Sequence, residues 1–384
     1  MNVGIFINTV IKGGLEMKTV VIGMSGGVDS SVAALLLKQA GYRVIGLFMR
    51  NWDSSINNDV LGNPTLNESI CPQEQDYNDA LAVCQKIGIP LHRVDFIKEY
   101  WDDVFTYFLD ELKKGRTPNP DIMCNKYIKF DCFVQEAKKL GADFIATGHY
   151  AKMENGRLMR SHDQNKDQTY FLSQLSKKQL ENVLFPLGEI DKTNVREIAK
   201  SYDLVTATKK DSTGICFIGE RNFKNFLKNY LPSQPGKVIN IETNEILGEH
   251  IGLMYYTIGQ RKGLNIGGTE DKLFVVGKNL LDNVLYVAEG EDNDYLFSTS
   301  AIIEQVNFNC DDRPSHCTAK FRYRAMDYPV DLTYQEDGTI LVSYDRIKAV
   351  TPGQACVFYD GEYCLGGGIV KEVLKDNQKL WYLL

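Results

Sequence analysis

The stretch KTVVIGMSGGVDSSVAALLLKQAG, residues 18–41, decides how the chain begins to fold. Lys18 to Met24 is an apolar, β-branched run suited to a strand buried on both faces. SSVAALLLKQAG then reads as a helix that stops at Gly41, where glycine tolerates the left-handed conformation that ends helices. Between them, GMSGGVDSS (Gly23 to Ser31) joins strand end to helix start. Glycines let backbone approach a polyanion, and successive N–H groups form a nest. Ser25, Ser30 and Ser31 add donors at a helix N-terminus, whose dipole favours negative charge. The spacing fits neither GxxxxGK[ST] nor GxGxxG. Asp29 inside such a loop repels phosphate unless a cation is present, which points to Mg²⁺ as the bridge.

The alternation continues. Arg43 to Met49 is a second strand, Gln75 to Gly88 an amphipathic helix with Ala80, Leu81, Cys84 and Ile87 on one face, and HRVDF a third strand. A helix over about 98–114, another ending at Gly141 and a fourth strand from Ala142 to Tyr150 follow. Repeated βα units imply an α/β domain with a parallel sheet covered on both faces, and ligands beyond the strand carboxyl ends. After Arg221 the texture becomes β-rich: PSQPGKVIN opens short strands, and from Thr299 alternating segments such as CTAKFRYR suggest an antiparallel barrel. The expected division is 17–221 for the parallel-sheet domain, 222–298 for a small central β-rich domain and 299–384 for a C-terminal β-barrel. Residues 1–16 precede Met17 as an extension and are set aside.

Bulk properties exclude several classes. With 384 residues, 43% hydrophobic, the chain supports two or three proper cores. Nine cysteines without a CxxC pair resemble neither a disulfide framework nor a zinc ribbon, and suit reduced thiols in the cytoplasm. No run of about 18 apolar residues suggests a membrane span. The histidines have no clustered spacing, so no zinc site is proposed. A net charge of −7 argues against a generally cationic nucleic-acid binder. Three local basic groups nevertheless make a polyanionic partner plausible: Lys113, Lys114, Arg116, Lys126 and Lys129; Lys192, Arg196, Lys200, Lys209 and Lys210; and KFRYR from Lys320 to Arg324.

Cys124 stands in RTPNPDIMCNKYIKF, Arg116 to Phe130. Lys126 nearby and a helix expected to begin near Ile128 would lower its pKa, and the polar, proline-constrained loop leans it toward a reactive thiol, with a buried space-filler as its alternative role. Asp121, three residues earlier, is the best general acid/base candidate, with a loop N-cap as its alternative role. Cys84 and Cys132 fall on core faces; Cys310, Cys317, Cys356 and Cys364 sit in β segments as structural residues.

SGGVDSS resembles the pyrophosphate loop of the N-type (PP-loop) ATP pyrophosphatases. The segments GRTPNPDIMCNKYIKF, ATGHYAK (146–152), KDQTYFL (166–172), STGICFIGER (212–221) and HIGLMYYTIGQRKGL (250–264) are similar, in order, to the signatures of bacterial tRNA-specific 2-thiouridylases within that superfamily. Tyr127 departs from that pattern, which has an acidic residue there. The resemblance implies an adenine nucleotide α-hydrolase-like fold, use of ATP and Mg²⁺, and 2-thiolation of a tRNA wobble uridine through an adenylated intermediate. It implies that Cys216 carries a persulfide and Cys124 is its partner, the two ending as a disulfide. Gly23, Met24, Ser25, Gly26, Gly27, Val28, Asp29, Ser30, Met49 and Gly148 would contact the nucleotide, and Asn119, Pro120 and Asp121 the target base. His149, Lys166, Asp167, Gln168, Tyr323, Arg324 and Gln354 would contact tRNA. A cysteine desulfurase or sulfur-relay protein would supply sulfur to a monomer. Two rival readings are an amidating synthetase of the same superfamily, for which no glutaminase-like domain is visible, and an RNA-binding module without catalysis, which the intact loop and both cysteines oppose.

Overall fold

The computed structural model describes residues 17–66, 71–211, 214–216, 218–219, 221–264, 266–267 and 271–383. The extension 1–16 lies outside them, as do Ser212, Thr213, Phe217 and Glu220 of the STGICFIGER motif.

The opening run forms strand β1 (Thr19–Met24), followed by β2 (Arg43–Arg50), β3 (Leu91–Asp95), β4 (Phe144–Ala146), β5 (Ala151–Glu154), β6 (Arg157–Arg160) and β7 (Val183–Leu184). β3, β2, β1, β4 and β7 lie side by side in that order, all parallel. Val20, Val21 and Ile22 of β1 are fully buried, as the unbroken apolar run requires. Helix α1 (Val28–Gln39) buries nearly its whole surface, including Val32, Ala33 and Leu37, because α2 (Pro72–Ile87) and the helix Lys192–Ser201 flank it. Each fully buried Val or Leu there contributes about 1.5–3 kcal/mol. Chain order reverses between β1 and β4, the switch point at which open α/β sheets bind ligands.

Two β-rich units follow. One is a four-stranded sheet ordered Leu273–Asn279, Val284–Glu289, Gly236–Asn240, Ile246–His250. In the other, six strands close into an antiparallel barrel, because Phe297–Phe308 pairs with both Ile340–Lys348 and Tyr363–Lys375. The fold class is the one expected. The sequence reading missed the β5–β6 hairpin, which joins the barrel sheet where Met159 pairs with Tyr363, and the short fifth strand β7. Both are too short for a periodic signal. Cys84, expected in the core, is buried, as are Cys310, Cys356 and Cys364, expected as structural residues, while Cys132, expected on a core face, and Cys317 are half-buried against core clusters.

Arg221 ties the end of the Cys216 segment to the loop after β2. Its guanidinium donates twice to the fully buried Asp59 at 2.8 and 2.9 Å, and Trp52 Nε1 donates to the same carboxylate at 3.1 Å. Removing one partner of a buried pair strands the other charge. Arg221→Met should therefore cost about 3–5 kcal/mol, read as a lower urea midpoint in tryptophan fluorescence; an unchanged midpoint would show that the pair is dispensable.

Candidate active site

The glycine loop sits at the switch point. Gly26 takes φ +70°, and a Cβ there would lie 2.2 Å from the Asp76 carbonyl oxygen. Lys209 Nζ donates to the Gly26 carbonyl at 2.9 Å and to Asp76 at 2.7 Å, fixing the turn. Gly26 is thus required by backbone packing, so Gly26→Val would disturb the loop itself. Gly148, after β4, lies against the α1 N-terminus; a Cβ would come within 2.9 Å of the Ser30 amide. Gly27 caps α1 without a side-chain hydrogen bond. These features fit a polyphosphate held by backbone N–H groups.

The serines divide their work. Ser25 is exposed, whereas Ser30 and Ser31 donate to the Gly27 carbonyl at 3.2 and 2.7 Å and brace the loop. Met24 and Val28 are core residues, and Met49 lies beneath Gly23. Asp29 is already balanced: Lys192 Nζ donates to both carboxylate oxygens at 2.7 Å, and the Tyr150 hydroxyl donates at 2.9 Å. The cation that sequence reasoning demanded beside Asp29 is supplied by a lysine. These residues do not build a dedicated Mg²⁺ cage, and among the described residues no cluster of three or more His, Cys, Asp or Glu is placed to hold a metal.

The two candidate thiols come together. Cys124 Sγ and Cys216 Sγ, 92 positions apart, lie 3.9 Å from each other as free thiols. The Cys216 N–H donates to Asp121 at 3.0 Å, and the Tyr100 hydroxyl donates to the Cys216 carbonyl at 2.9 Å. Asn119 accepts the Asp121 N–H at 3.1 Å and so caps the helical turn that begins at Pro120. Asp121 is therefore not itself the N-cap; its carboxylate orients the Cys216 segment. Burial raises its pKa, against the Cys216 N–H and Lys129, which lower it.

Cys124 corrects the sequence expectation. It is not in a loop before a helix but fully buried inside a helical stretch that already runs from Pro120, and burial holds its pKa well above the ordinary thiol value. Lys126 does not reach the thiols; it sits over the Tyr127 ring. The relevant cation is Lys129. Between Cys124 and Cys132 the helix widens to π-type turns, and Phe130 departs from helical geometry. Five residues rotate about 140° around an α-helix, whereas a π turn brings residues i and i+5 to one side. Lys129 thereby acts on both sulfurs and hydrogen-bonds Cys216. The Cys216 pKa is lowered, first by the hydrogen bond from Cys124 and then, against burial, by Lys129. Lys129, Tyr100 and Lys192 were missed as site residues, because their roles depend on π turns and on contacts distant in sequence.

The residues expected to contact tRNA divide. Arg324 is exposed with φ +65°, stacked near Tyr323, whose ring packs on Phe171 at 4.4 Å. Gln354 donates to the Thr117 carbonyl at 2.6 Å, at the entry to the reactive segment. The others are engaged inside the fold. His149 is buried, bonded to Thr147 at 2.8 Å and kept neutral by burial and by Lys129. Lys166 pairs with Asp211, Asp167 accepts from Ser161 and Thr169, and Gln168 accepts the Tyr150 N–H. The first two basic groups are also largely consumed by nearby acids, including Lys113 by Asp110, Lys114 and Arg116 by Glu111, Arg196 by Asp211, and Lys209 by Asp76 and Asp79.

A parallel sheet with a glycine loop at its switch point feeding a helix N-terminus, in a chain that also brings two thiols together, belongs to the PP-loop ATP pyrophosphatase class. Three family models match in succession: a tRNA methyl transferase HUP domain over residues 18–220, a tRNA methyl transferase PRC-barrel domain over 224–289 and an aminomethyltransferase beta-barrel domain over 298–370. Curated relatives match almost end to end. The tRNA-specific 2-thiouridylase MnmA of Mycoplasmopsis synoviae is 57% identical over 368 residues, 95% of this chain and 99% of that one. Those of Metamycoplasma arthritidis and Oceanobacillus iheyensis are 58% and 55% identical, each over 95% of this chain and 100% and 98% of their own. The chain belongs to the tRNA-specific 2-thiouridylase (MnmA) family, the tRNA-uridine 2-sulfurtransferases. No helix among the described residues is long and apolar enough to cross a membrane.

The opposite pKa shifts of the two thiols can be measured. Alkylation followed by peptide mass spectrometry should label Cys216 at a pH below the ordinary thiol range while Cys124 resists. Lys129→Met, which removes the cation favouring thiolate, should move the Cys216 profile to higher pH. Identical profiles for the two cysteines, or no response to Lys129→Met, would contradict this electrostatic account.

Proposed function

We propose that this enzyme converts the wobble uridine of Lys-, Glu- and Gln-type tRNAs to 2-thiouridine, through adenylation of the uridine O2 and a persulfide on Cys216. The single observation that carries the reading is the thiol pair at 3.9 Å, held by Asp121 and faced by Lys129. A uridine C2 carbonyl is urea-like, and its oxygen leaves poorly. Attack of O2 on the α-phosphorus of ATP releases pyrophosphate and turns that oxygen into part of a good leaving group, AMP. The glycine loop and the α1 N-terminus would hold the polyphosphate for in-line attack. Mg²⁺ would accompany ATP as a phosphate counter-ion.

Sulfur then enters. The terminal sulfur of a Cys216 persulfide attacks C2, the C2–O bond breaks and AMP departs, leaving the base joined to Cys216 through a disulfide. Cys124 thiolate attacks the Cys216 Sγ, the base leaves as 2-thiouridine, and a Cys124–Cys216 disulfide remains. The two sulfurs must approach by about 1.9 Å to reach bonding distance. A cellular thiol reductant must restore the pair. Lys129 would favour the anionic sulfur at each stage, and Asp121 would hold the Cys216 segment while Asn119, Pro120 and Asp121 face the target base. A cysteine desulfurase or sulfur-relay protein would load Cys216. Tyr323, Arg324 and Gln354 are the expected residues best placed to meet tRNA.

Cys216→Ser should accept no labelled sulfur from a desulfurase, because a serine hydroxyl cannot form a persulfide. Cys124→Ser should load sulfur yet fail to release 2-thiouridine. Both should still release pyrophosphate when given tRNA and ATP. Label retained on Cys216→Ser together with normal product would refute these roles.

A further inference from the structure

Most lysines and arginines of the first two basic groups are neutralised within the fold, but four cations in one neighbourhood are not. Lys224 and Lys228 lie on and just after the helix Phe223–Leu227, and Arg261 and Lys262 lie on the loop 257–263. None of the four makes an ion pair with another described residue. Lys228, Arg261 and Lys262 are exposed. Lys224 Nζ donates to the Gly263 carbonyl at 3.0 Å and sits over the Tyr256 ring, which locks helix to loop and makes one shelf of the four charges.

The shelf is continuous with both functional regions. Arg322 donates to the Ile258 carbonyl at 2.8 Å, so the loop abuts the barrel turn that carries Tyr323 and Arg324. On the other side, Thr257 Oγ1 lies 3.4 Å from Thr117 Oγ1, two residues before Asn119. Uncompensated like charges held together repel one another unless an anion shares them. In a chain of net charge −7, such a shelf beside the reactive segment suits a partner with regularly spaced negative groups. We propose that Lys224, Lys228, Arg261 and Lys262 bind the phosphate backbone of the tRNA next to the target nucleotide. This rests on the tRNA reading above and adds to it a surface and a mode of contact.

The full-length Arg261→Ala/Lys262→Ala variant tests it, because it leaves the Lys224–Gly263 hydrogen bond in place. Titrating fluorescent tRNA across a salt series, the variant should bind at least about tenfold more weakly at low salt. Its salt dependence should be shallower by about 0.7–0.9 for each phosphate that is no longer neutralised. KM for tRNA should rise while kcat and persulfide loading of Cys216 stay near wild type, and Arg261→Lys/Lys262→Arg should restore binding. Unchanged affinity and salt slope in the alanine variant, with wild type still producing 2-thiouridine, would overturn the shelf alone. A wild-type chain that binds no tRNA would overturn the shelf and the parent reading together.

Discussion

The contact on which the site depends is the 3.0 Å hydrogen bond from the Cys216 N–H to the Asp121 carboxylate. It joins segments that no local pattern brings together, and it does so in a half-buried setting where an unpaired amide or carboxylate would be costly. The Tyr100 hydroxyl holds the Cys216 carbonyl, so both backbone polar groups of that residue are fixed. With the backbone fixed on both sides, the two sulfurs are held at contact distance but unbonded. That arrangement suits the proposed alternation between thiol, persulfide and disulfide.

The reactive segment is in turn held by both β-rich units. Residues 115–117 lead into Asn119 to Cys124. Lys278 of the central sheet donates to the Gly115 carbonyl at 2.7 Å, and burial lowers its pKa to about 7. From the barrel, Glu304 pairs with Arg116 at 2.7 Å, the Pro352 carbonyl accepts the Thr117 N–H at 2.8 Å, and Gln354 donates to the Thr117 carbonyl. A Cβ on Gly353 would lie 2.8 Å from the Thr117 amide nitrogen, so the backbones pass each other closely. The elements nearest the proposed RNA surface thus also set the position of Asp121 and Cys124, which links substrate recognition to thiol geometry by direct contact.

Much of this was legible in the sequence where a local pattern carries the physics. The apolar run, glycine turn and helix of residues 18–41 read correctly because each depends on neighbours in the chain. The alternating segments after Thr299 pointed to the barrel for the same reason. Charge was less legible. Lys192, Arg196 and Lys209 look like a cationic patch in sequence, yet their partners Asp29, Asp76, Asp79 and Asp211 come from other elements. Cys124 read as a loop residue because the preceding prolines suggest a loop, whereas Pro120 starts the helix, where a missing N–H costs nothing. Lys129 could have been found only by suspecting π turns, since regular helical spacing places it away from Cys124.

The central claim is that Cys124 and Cys216 form a sulfur-transfer pair that ends each turnover oxidised. The most direct measurement is a single turnover without reductant: persulfide-loaded enzyme, ATP, Mg²⁺ and unmodified tRNA, followed by non-reducing peptide mapping beside quantified 2-thiouridine. The account predicts one Cys124–Cys216 disulfide for each 2-thiouridine formed. Stoichiometric 2-thiouridine with both cysteines recovered as free thiols would contradict it.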